Sequence, residues 1–251
     1  LGNLEKISEN QKYTTYLTNY DSDGLKINGL MTAPKGDAPD GGWPAIVFVH
    51  GYIQPSQYRT TVNYASYVDY LGSNNFVVFK IDLRGHADSE GEGGGAYYSS
   101  DYVVDTLNAV SALKGADFVN PSKIGLWGHS MAGNVIFRSF VAKGDIPAIV
   151  IWAGAVYSYV DFTEFGISDN SYRPPAQASE SRKKREKLFE TYGQFDPESD
   201  FWKQVVPTNY LSGVKGAVQL NHAVNDNVVD ISYSRNLMEI LDGTNITHEI
   251  E

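Results

Sequence analysis

The sequence predicts an α/β fold: a mostly parallel central sheet with helices on both faces, an antiparallel hairpin at the N-terminal end and a small cap insertion. Three observations carry this. Ala45-Ile46-Val47-Phe48-Val49 and Phe76-Val77-Val78-Phe79-Lys80-Ile81 are near-continuous apolar runs, the pattern of strands covered on both faces. Stretches with helical spacing lie between such runs, which is the βαβ alternation of a parallel sheet. Lys123 to Gly133 passes from a short apolar strand through small residues into the apolar Asn134-Val135-Ile136-Phe137, with Ser130 at the apex of the turn.

Taken in order, Tyr13 to Thr18 and Leu25 to Met31 flank Asp21-Ser22-Asp23-Gly24. Leu25, Ile27, Gly29 and Met31 alternate, so this pair reads as a hairpin with one buried face, within an N-terminal region spanning 1–43. Tyr64, Val68 and Leu71 mark a helix ended by Gly72, and Val103, Leu107 and Val110 mark another before the Ser130 strand. Ala148-Ile149-Val150-Ile151-Trp152, Ala217-Val218-Gln219-Leu220 and Ile246 to Ile250 extend the sheet. Composition shifts over 157–207, with Pro174-Pro175, the basic run Arg182-Lys183-Lys184-Arg185, and the aromatics Phe189, Tyr192, Phe195, Phe201 and Trp202. This segment reads as a cap over Ser130 whose aromatics set substrate range; its basic run reads as a solvated helix face. The whole of 1–251 reads as one domain.

Composition narrows the function. A formal net charge of −10 disfavours nucleic acid and anionic membranes as partners. With no cysteine there is no disulfide framework and no thiolate chemistry. No apolar run has the length of a membrane span. Scattered Asp and Glu lack ligand spacing, so no metal is assigned. Gly93-Gly94-Gly95 is flanked by Glu90 and Glu92, which would repel phosphate, and reads as a mobile loop. Asn245-Ile246-Thr247 matches a glycosylation sequon. The opening Leu1-Gly2-Asn3 suggests that something upstream was removed, and an extracytoplasmic location is compatible with it.

The Ser130 turn has the form of a nucleophile elbow, Gly128-His129-Ser130-Met131-Ala132. A serine hydroxyl needs to be lifted clear of backbone, met by a base and faced by oxyanion donors. Small flanking residues, here Gly128 and Ala132, permit the tight turn. In this logic one oxyanion donor is the N–H of Met131, and the second is the N–H of Tyr52, in the loop after Val49-His50-Gly51. His50 precedes Ser130 and reads as a structural histidine bonded to loop backbone. Asp226, in the polar turn after the 217–220 strand, comes second in the order serine–acid–histidine and is the candidate acid. The bland reading of Asp226 is a turn cap.

Gly24-Leu25-Lys26-Ile27, Val47 to Tyr52, Asp82-Leu83-Arg84-Gly85-His86-Ala87-Asp88-Ser89-Glu90-Gly91, the Ser130 elbow and His222 to Val229 resemble the α/β-hydrolase superfamily. The likeness is to single-domain bacterial hydrolases of its prolyl oligopeptidase-like and dienelactone hydrolase-like branch, and it covers nearly the whole chain. It implies serine hydrolase chemistry through an acyl-enzyme, without a cofactor: Ser130 as nucleophile, Asp226 as acid, Tyr52 and Met131 as oxyanion donors. The family usually has glycine where Ala87 stands. Its histidine lies in a loop just beyond the last strand. Only His248 follows Asp226, and it shares strand parity with Ile246 and Ile250. The triad histidine is therefore expected beyond Glu251, and the chain reads as truncated before its base.

An esterase acting on small ester substrates is the leading expectation. A prolyl oligopeptidase-like peptidase shares the chemistry and differs in substrate. A non-catalytic binding protein of the same fold is the reading if the histidine is absent altogether. Acyl preference and oligomeric state are left open by the residues.

Overall fold

The computed structural model describes residues 1–167 and 180–251. Among them nine strands form one sheet: β1 (Glu5–Glu9), β2 (Tyr13–Ser22), β3 (Leu25–Pro34), β4 (Trp43–Val49), β5 (Val77–Ile81), β6 (Val119–His129), β7 (Ala148–Trp152), β8 (Ala217–Asn221) and β9 (Thr247–Ile250). Their order across the sheet is β1-β2-β3-β5-β4-β6-β7-β8-β9. The first three strands are antiparallel and β3 joins β5 antiparallel, whereas every pairing from β5 to β9 is parallel. The N-terminal hairpin is longer than its apolar alternation alone predicts, and β1 adds a third strand. Asp23 and Gly24 both have positive φ, 54° and 74°, the backbone of a tight two-residue hairpin turn. That turn fixes the register from Ser22↔Leu25 out to Tyr13↔Pro34.

Helices α1 (Ala65–Ser73), α2 (Asp101–Lys114), α3 (Met131–Lys143) and α7 (Ser232–Asp242) cover the sheet. Helix α1 runs through Gly72 rather than ending at it. Alternate strand residues feed two apolar layers. Val47, Val49, Phe79 and Leu126 pack with Val103 of α2, Val135 of α3 and Leu237 of α7. Leu30, Phe48, Val78 and Trp127 pack on the other face with Val68 and Leu71 of α1. That second face keeps an apolar groove of about 490 Å³ beside α1, over Ile46, Trp127, Val150 and Trp152, and Tyr70 on its rim is 69% exposed. Ile246, by contrast, is buried.

The segment 157–207 contributes α4 (Val160–Phe165), α5 (Glu180–Tyr192) and α6 (Asp200–Val205). Pro174-Pro175 lies outside the described residues. Helix α5 buries none of its residues completely. Its basic run is not wholly a solvated face, because Lys184 forms an ion pair with Asp101 of α2. The aromatics join the main core: Trp202, 1% exposed, sits 5.5 Å from Phe195, 5.2 Å from Phe201 and 5.9 Å from Tyr159 between ring centroids. Trp202 is thus core and not a cavity wall. No helix among the described residues is long and apolar enough to cross a membrane.

One buried ion pair fastens the hairpin and α2 to the turn after β5. Asp105, fully buried, accepts from Arg84 Nη2 at 2.7 Å, from Arg84 backbone N–H at 3.0 Å and from Ser22 Oγ at 2.7 Å. Removing one partner strands the other charge in low dielectric. Asp105→Ala should therefore lower unfolding free energy by about 3–5 kcal/mol, read by urea denaturation; a loss below about 1 kcal/mol would show that Arg84 finds water or Asp101 instead.

Candidate active site

Parallel register brings the candidate residues to one edge of the sheet. Val49 of β4 is level with Gly128 of β6, while His129, Trp152 and Asn221 are level across β6, β7 and β8. The turns that follow these residues carry Tyr52, Ser130 and Asp226. Ser130 has φ 54° and ψ −121°, a backbone conformation that L residues rarely adopt. It is held there by its N–H donating to Trp152 O at 2.8 Å and by its own carbonyl accepting from Gly133 N–H at 2.8 Å. The turn leaves no room beside it. A Cβ on Gly128 would lie 2.9 Å from Ala132 O and 3.0 Å from Ile136 Cδ1. Ser130 then caps the N-terminus of α3, whose partial positive charge favours a developing anion.

Tyr52 and Met131 line one pocket of about 220 Å³, together with Gln54, His86, Tyr102 and Glu180. The structure therefore places Tyr52 and Met131 along one cavity, with Ser130 directly before Met131 in the chain. Gly93 and Gly94 also line it, and Gly94 N–H donates to Tyr102 Oη at 2.8 Å, which ties the glycine run to α2.

Asp226 lies in the turn beyond β8. Its Oδ1 accepts from Val228 N–H at 2.8 Å and Val229 N–H at 3.0 Å, so it does cap its own turn. Its other oxygen is 3.9 Å from His222 Nε2, but that ring is committed elsewhere, to Val229 O at 2.8 Å and Ser234 Oγ at 2.7 Å. The carboxylate reaches His129 electrostatically, where it opposes the downward push that burial gives the imidazole.

The remaining histidines are engaged as well. His50 Nδ1 meets Gly51 O at 2.8 Å, and its ring stacks on Tyr58. His86 bonds Arg84 O and Ile53 O. His129 Nδ1 is 2.8 Å from Tyr64 Oη. His248 bonds Ile246 O at 2.7 Å and Asp242 Oδ1 at 3.0 Å.

Known proteins share this arrangement of chain. A family model described as serine aminopeptidase, S33, matches residues 44–176, more than half of the sequence. The chain belongs to that family. YfhR, an uncharacterized protein of Escherichia coli K12, is 26% identical over 152 residues, 60% of this chain and 50% of its own. The chain thus spans about half the length of the curated relatives it matches. An acetyl xylan esterase from Paenibacillus sp. R4 superposes with a TM-score of 0.68 and 17% identity, over 99% of this chain and 80% of its own. A Mycobacterium tuberculosis puromycin-hydrolyzing peptidase gives 0.70 and 20%, over 97% of this chain and 36% of its own. At such identities the likeness is one of fold, and the fold is that of α/β-hydrolases.

In this S33 family chain, sequence reasoning missed Tyr64, Tyr102 and Glu180 as neighbours of the site. Tyr64 and Tyr102 sit at helical positions that read equally well as core. Glu180 stands at the start of a charged helix, where nothing in the sequence points to a cavity.

Two predictions follow from the backbone strain and the burial. Replacing Ser130 by Ala keeps the Cβ strain, whereas Gly relieves it. Ser130→Gly should be more stable than Ser130→Ala by about 1 kcal/mol in urea denaturation. Burial lowers the titration of His50, His86 and His129 below the ordinary 6.5, whereas the carbonyl of Ile246 and the Asp242 carboxylate raise His248. As pH falls through 6.5 the unfolded chain takes up protons that those three buried rings refuse. Their contribution to stability is present above that value and is lost below it; that of His248 is present below 6.5 and lost as pH rises through its raised value. Histidine NMR titration should show His248 alone of these four with a midpoint above 6.5. Stability should decline from pH 7.5 to 5.5, each buried ring contributing up to about 1.4 kcal/mol per pH unit.

Proposed function

We propose that this chain is a serine hydrolase cleaving carboxylic esters through an acyl-enzyme on Ser130. The observation that carries the reading is the strained Ser130 at the head of α3, beside a pocket shared by Tyr52 and Met131. Esterases among proteins of similar fold support it. In this reading Ser130 Oγ attacks the acyl carbon, and its proton passes to an imidazole whose Nδ1–H is held by Asp226. The oxyanion accepts hydrogen bonds from the Tyr52 and Met131 N–H groups. The imidazolium then protonates the departing alkoxide. Water, deprotonated by the same imidazole, attacks the acyl-enzyme, and Ser130 recovers its proton as the acid leaves. The pocket, at about 220 Å³, suits short or medium acyl groups.

The scheme assigns its imidazole to none of His50, His86, His129, His222 and His248, because each is hydrogen-bonded to another group. A peptidase of the same chemistry is the second reading, and the family model's description favours keeping it. A panel of esters and aminoacyl amides separates the two by relative kcat/KM. A protein extended past Glu251 that still shows neither turnover nor labelling would point to the non-catalytic reading.

In an extended, active protein, Ser130→Ala should abolish turnover and fluorophosphonate labelling, and Asp226→Asn should lower kcat by about 10⁴-fold with the fold kept. Ester assays with circular dichroism check both. Labelling that survives Ser130→Ala would place the nucleophile elsewhere. Residues 1–251 by themselves should show little or no ester turnover, because each of their histidines is bonded to another group; robust turnover that vanishes in His248→Ala would make His248 the base.

A further inference from the structure

Tyr64 stands between the two turns on which the proposed oxyanion hole depends. Its hydroxyl oxygen accepts from Gly51 N–H at 2.9 Å, and the same hydroxyl lies 2.8 Å from His129 Nδ1. Gly51 directly precedes Tyr52, one candidate donor. His129 directly precedes Ser130, with Met131, the other donor, next. One phenol therefore links the loop after β4 to the turn after β6.

Several features show that this junction is built. Tyr64 is itself left-handed, at φ 60° and ψ 20°, just before α1. A bulky side chain rarely adopts that conformation, and its cost is accepted where surrounding structure over-determines it. The ring is fixed by edge-on packing against Phe48 at 5.4 Å and Trp127 at 6.2 Å, which belong to the two strands being joined. Gly51 leaves no space for anything else: a Cβ there would lie 2.8 Å from Tyr64 Oη, 2.9 Å from His129 Nδ1 and 3.0 Å from His129 O.

The proton assignment follows from counting donors. The hydroxyl accepts from Gly51, so its own hydrogen needs an acceptor, and His129 Nδ1 is the acceptor within reach. His129 is thereby the neutral tautomer with its proton on Nε2. Burial favours both states: it raises Tyr64 to about 12, so the phenol keeps its proton, and it lowers His129, so the ring stays neutral.

We propose that Tyr64 is a positioning residue for the hydrolase reaction: the chain Gly51 N–H to Tyr64 Oη–H to His129 Nδ1 sets the separation of the Tyr52 and Met131 oxyanion donors. The proposal rests on the serine hydrolase reading above. Oxyanion donors act on charge that develops in the transition state, so loosening them lowers kcat and leaves KM nearly unchanged.

Tyr64→Phe keeps the ring packing and removes only the hydroxyl. In the extended, active protein it should lower kcat for a small ester about 10- to 100-fold with KM within about twofold. His129→Leu should match it, whereas His129→Asn, whose Oδ1 takes the place of Nδ1, should keep kcat within about threefold of the unsubstituted protein. Tyr67→Phe, a neighbouring ring on α1, is the control and should change nothing. Two readouts on the 251-residue chain need no turnover. Histidine ¹⁵N NMR should show His129 with an unprotonated, hydrogen-bonded Nδ1 that loses this signature in Tyr64→Phe, and Gly51 amide exchange should quicken at least about tenfold in that variant. Unchanged kcat in Tyr64→Phe, failed rescue by His129→Asn, or a His129 protonated on Nδ1 would each overturn the proposal. If the extended protein has no hydrolase activity while the NMR and exchange results hold, the hydrolase reading fails and the hydrogen-bonded junction stands as a structural link.

Discussion

The site depends on a serine held in a backbone conformation that serine does not choose. At φ 54° and ψ −121°, Ser130 costs of order 1–3 kcal/mol. It stays there because both of its backbone groups are committed, the N–H to Trp152 across the sheet and the carbonyl to Gly133 in the first turn of α3. The buried packing of α3, through Val135, Ile136 and Phe140, supplies the restoring force. A side chain on Gly128 would meet Ala132 O and Ile136 Cδ1, pushing strand and helix apart.

The strain is not confined to the serine. Of the nine non-glycine residues with positive φ among the described residues, six lie in turns after β5, β6 and β7: Leu83, Ala87, Ser130, Ala153, Val156 and Tyr159. All six follow the carboxyl ends of parallel strands, which is the edge where open α/β sheets place their ligand sites. Ala87 illustrates the cost. Its φ of 48° belongs to the region glycine occupies freely, which is the physical reason for the glycine the superfamily usually carries there. The loop after β7 is held from both ends: Asn134 Nδ2 donates to Val156 O, and Asp161 Oδ2 accepts from the N–H groups of Tyr157 and Ser158.

Much of this was legible in the sequence, for definite reasons. Apolar runs such as Val47 to Val49 read as parallel strands because burial on both faces suppresses alternation. The Ser130 elbow was legible because its geometry demands small residues at fixed places. The helices of 157–207 left only a composition shift in the sequence. Trp202 looked like a pocket residue, yet it packs among Phe195, Phe201 and Tyr159, since aromatic content alone does not distinguish a cavity wall from a core. Strand β1 escaped notice because all five of its residues are exposed and carry no buried face to mark it. Tyr64 escaped because its role is set by a hydroxyl meeting residues 13 and 65 positions away, a relation no local pattern encodes.

The loop between Tyr52 and Tyr64 is also gripped from its far side, which explains how an exposed segment can present a fixed N–H group. Lys80 of β5, almost wholly buried, donates to Tyr58 Oη at 2.7 Å and Thr60 O at 2.7 Å. Tyr58 and Thr60 in turn donate to the two oxygens of Asp82, at 2.9 Å and 2.6 Å. Burial pulls Lys80 down to about 8, and the Asp82 carboxylate works against that fall, so the ammonium remains charged at neutral pH. Tyr58 stacks on His50 at 4.3 Å, directly behind Gly51. A buried, charge-assisted network tolerates few alternative geometries, because any movement leaves a polar group without a partner in low dielectric. The loop is thus clamped by Lys80 of β5 and Asp82 just after it, and to β6 by Tyr64 and His129, with Gly51, directly before Tyr52, bonded to the Tyr64 hydroxyl.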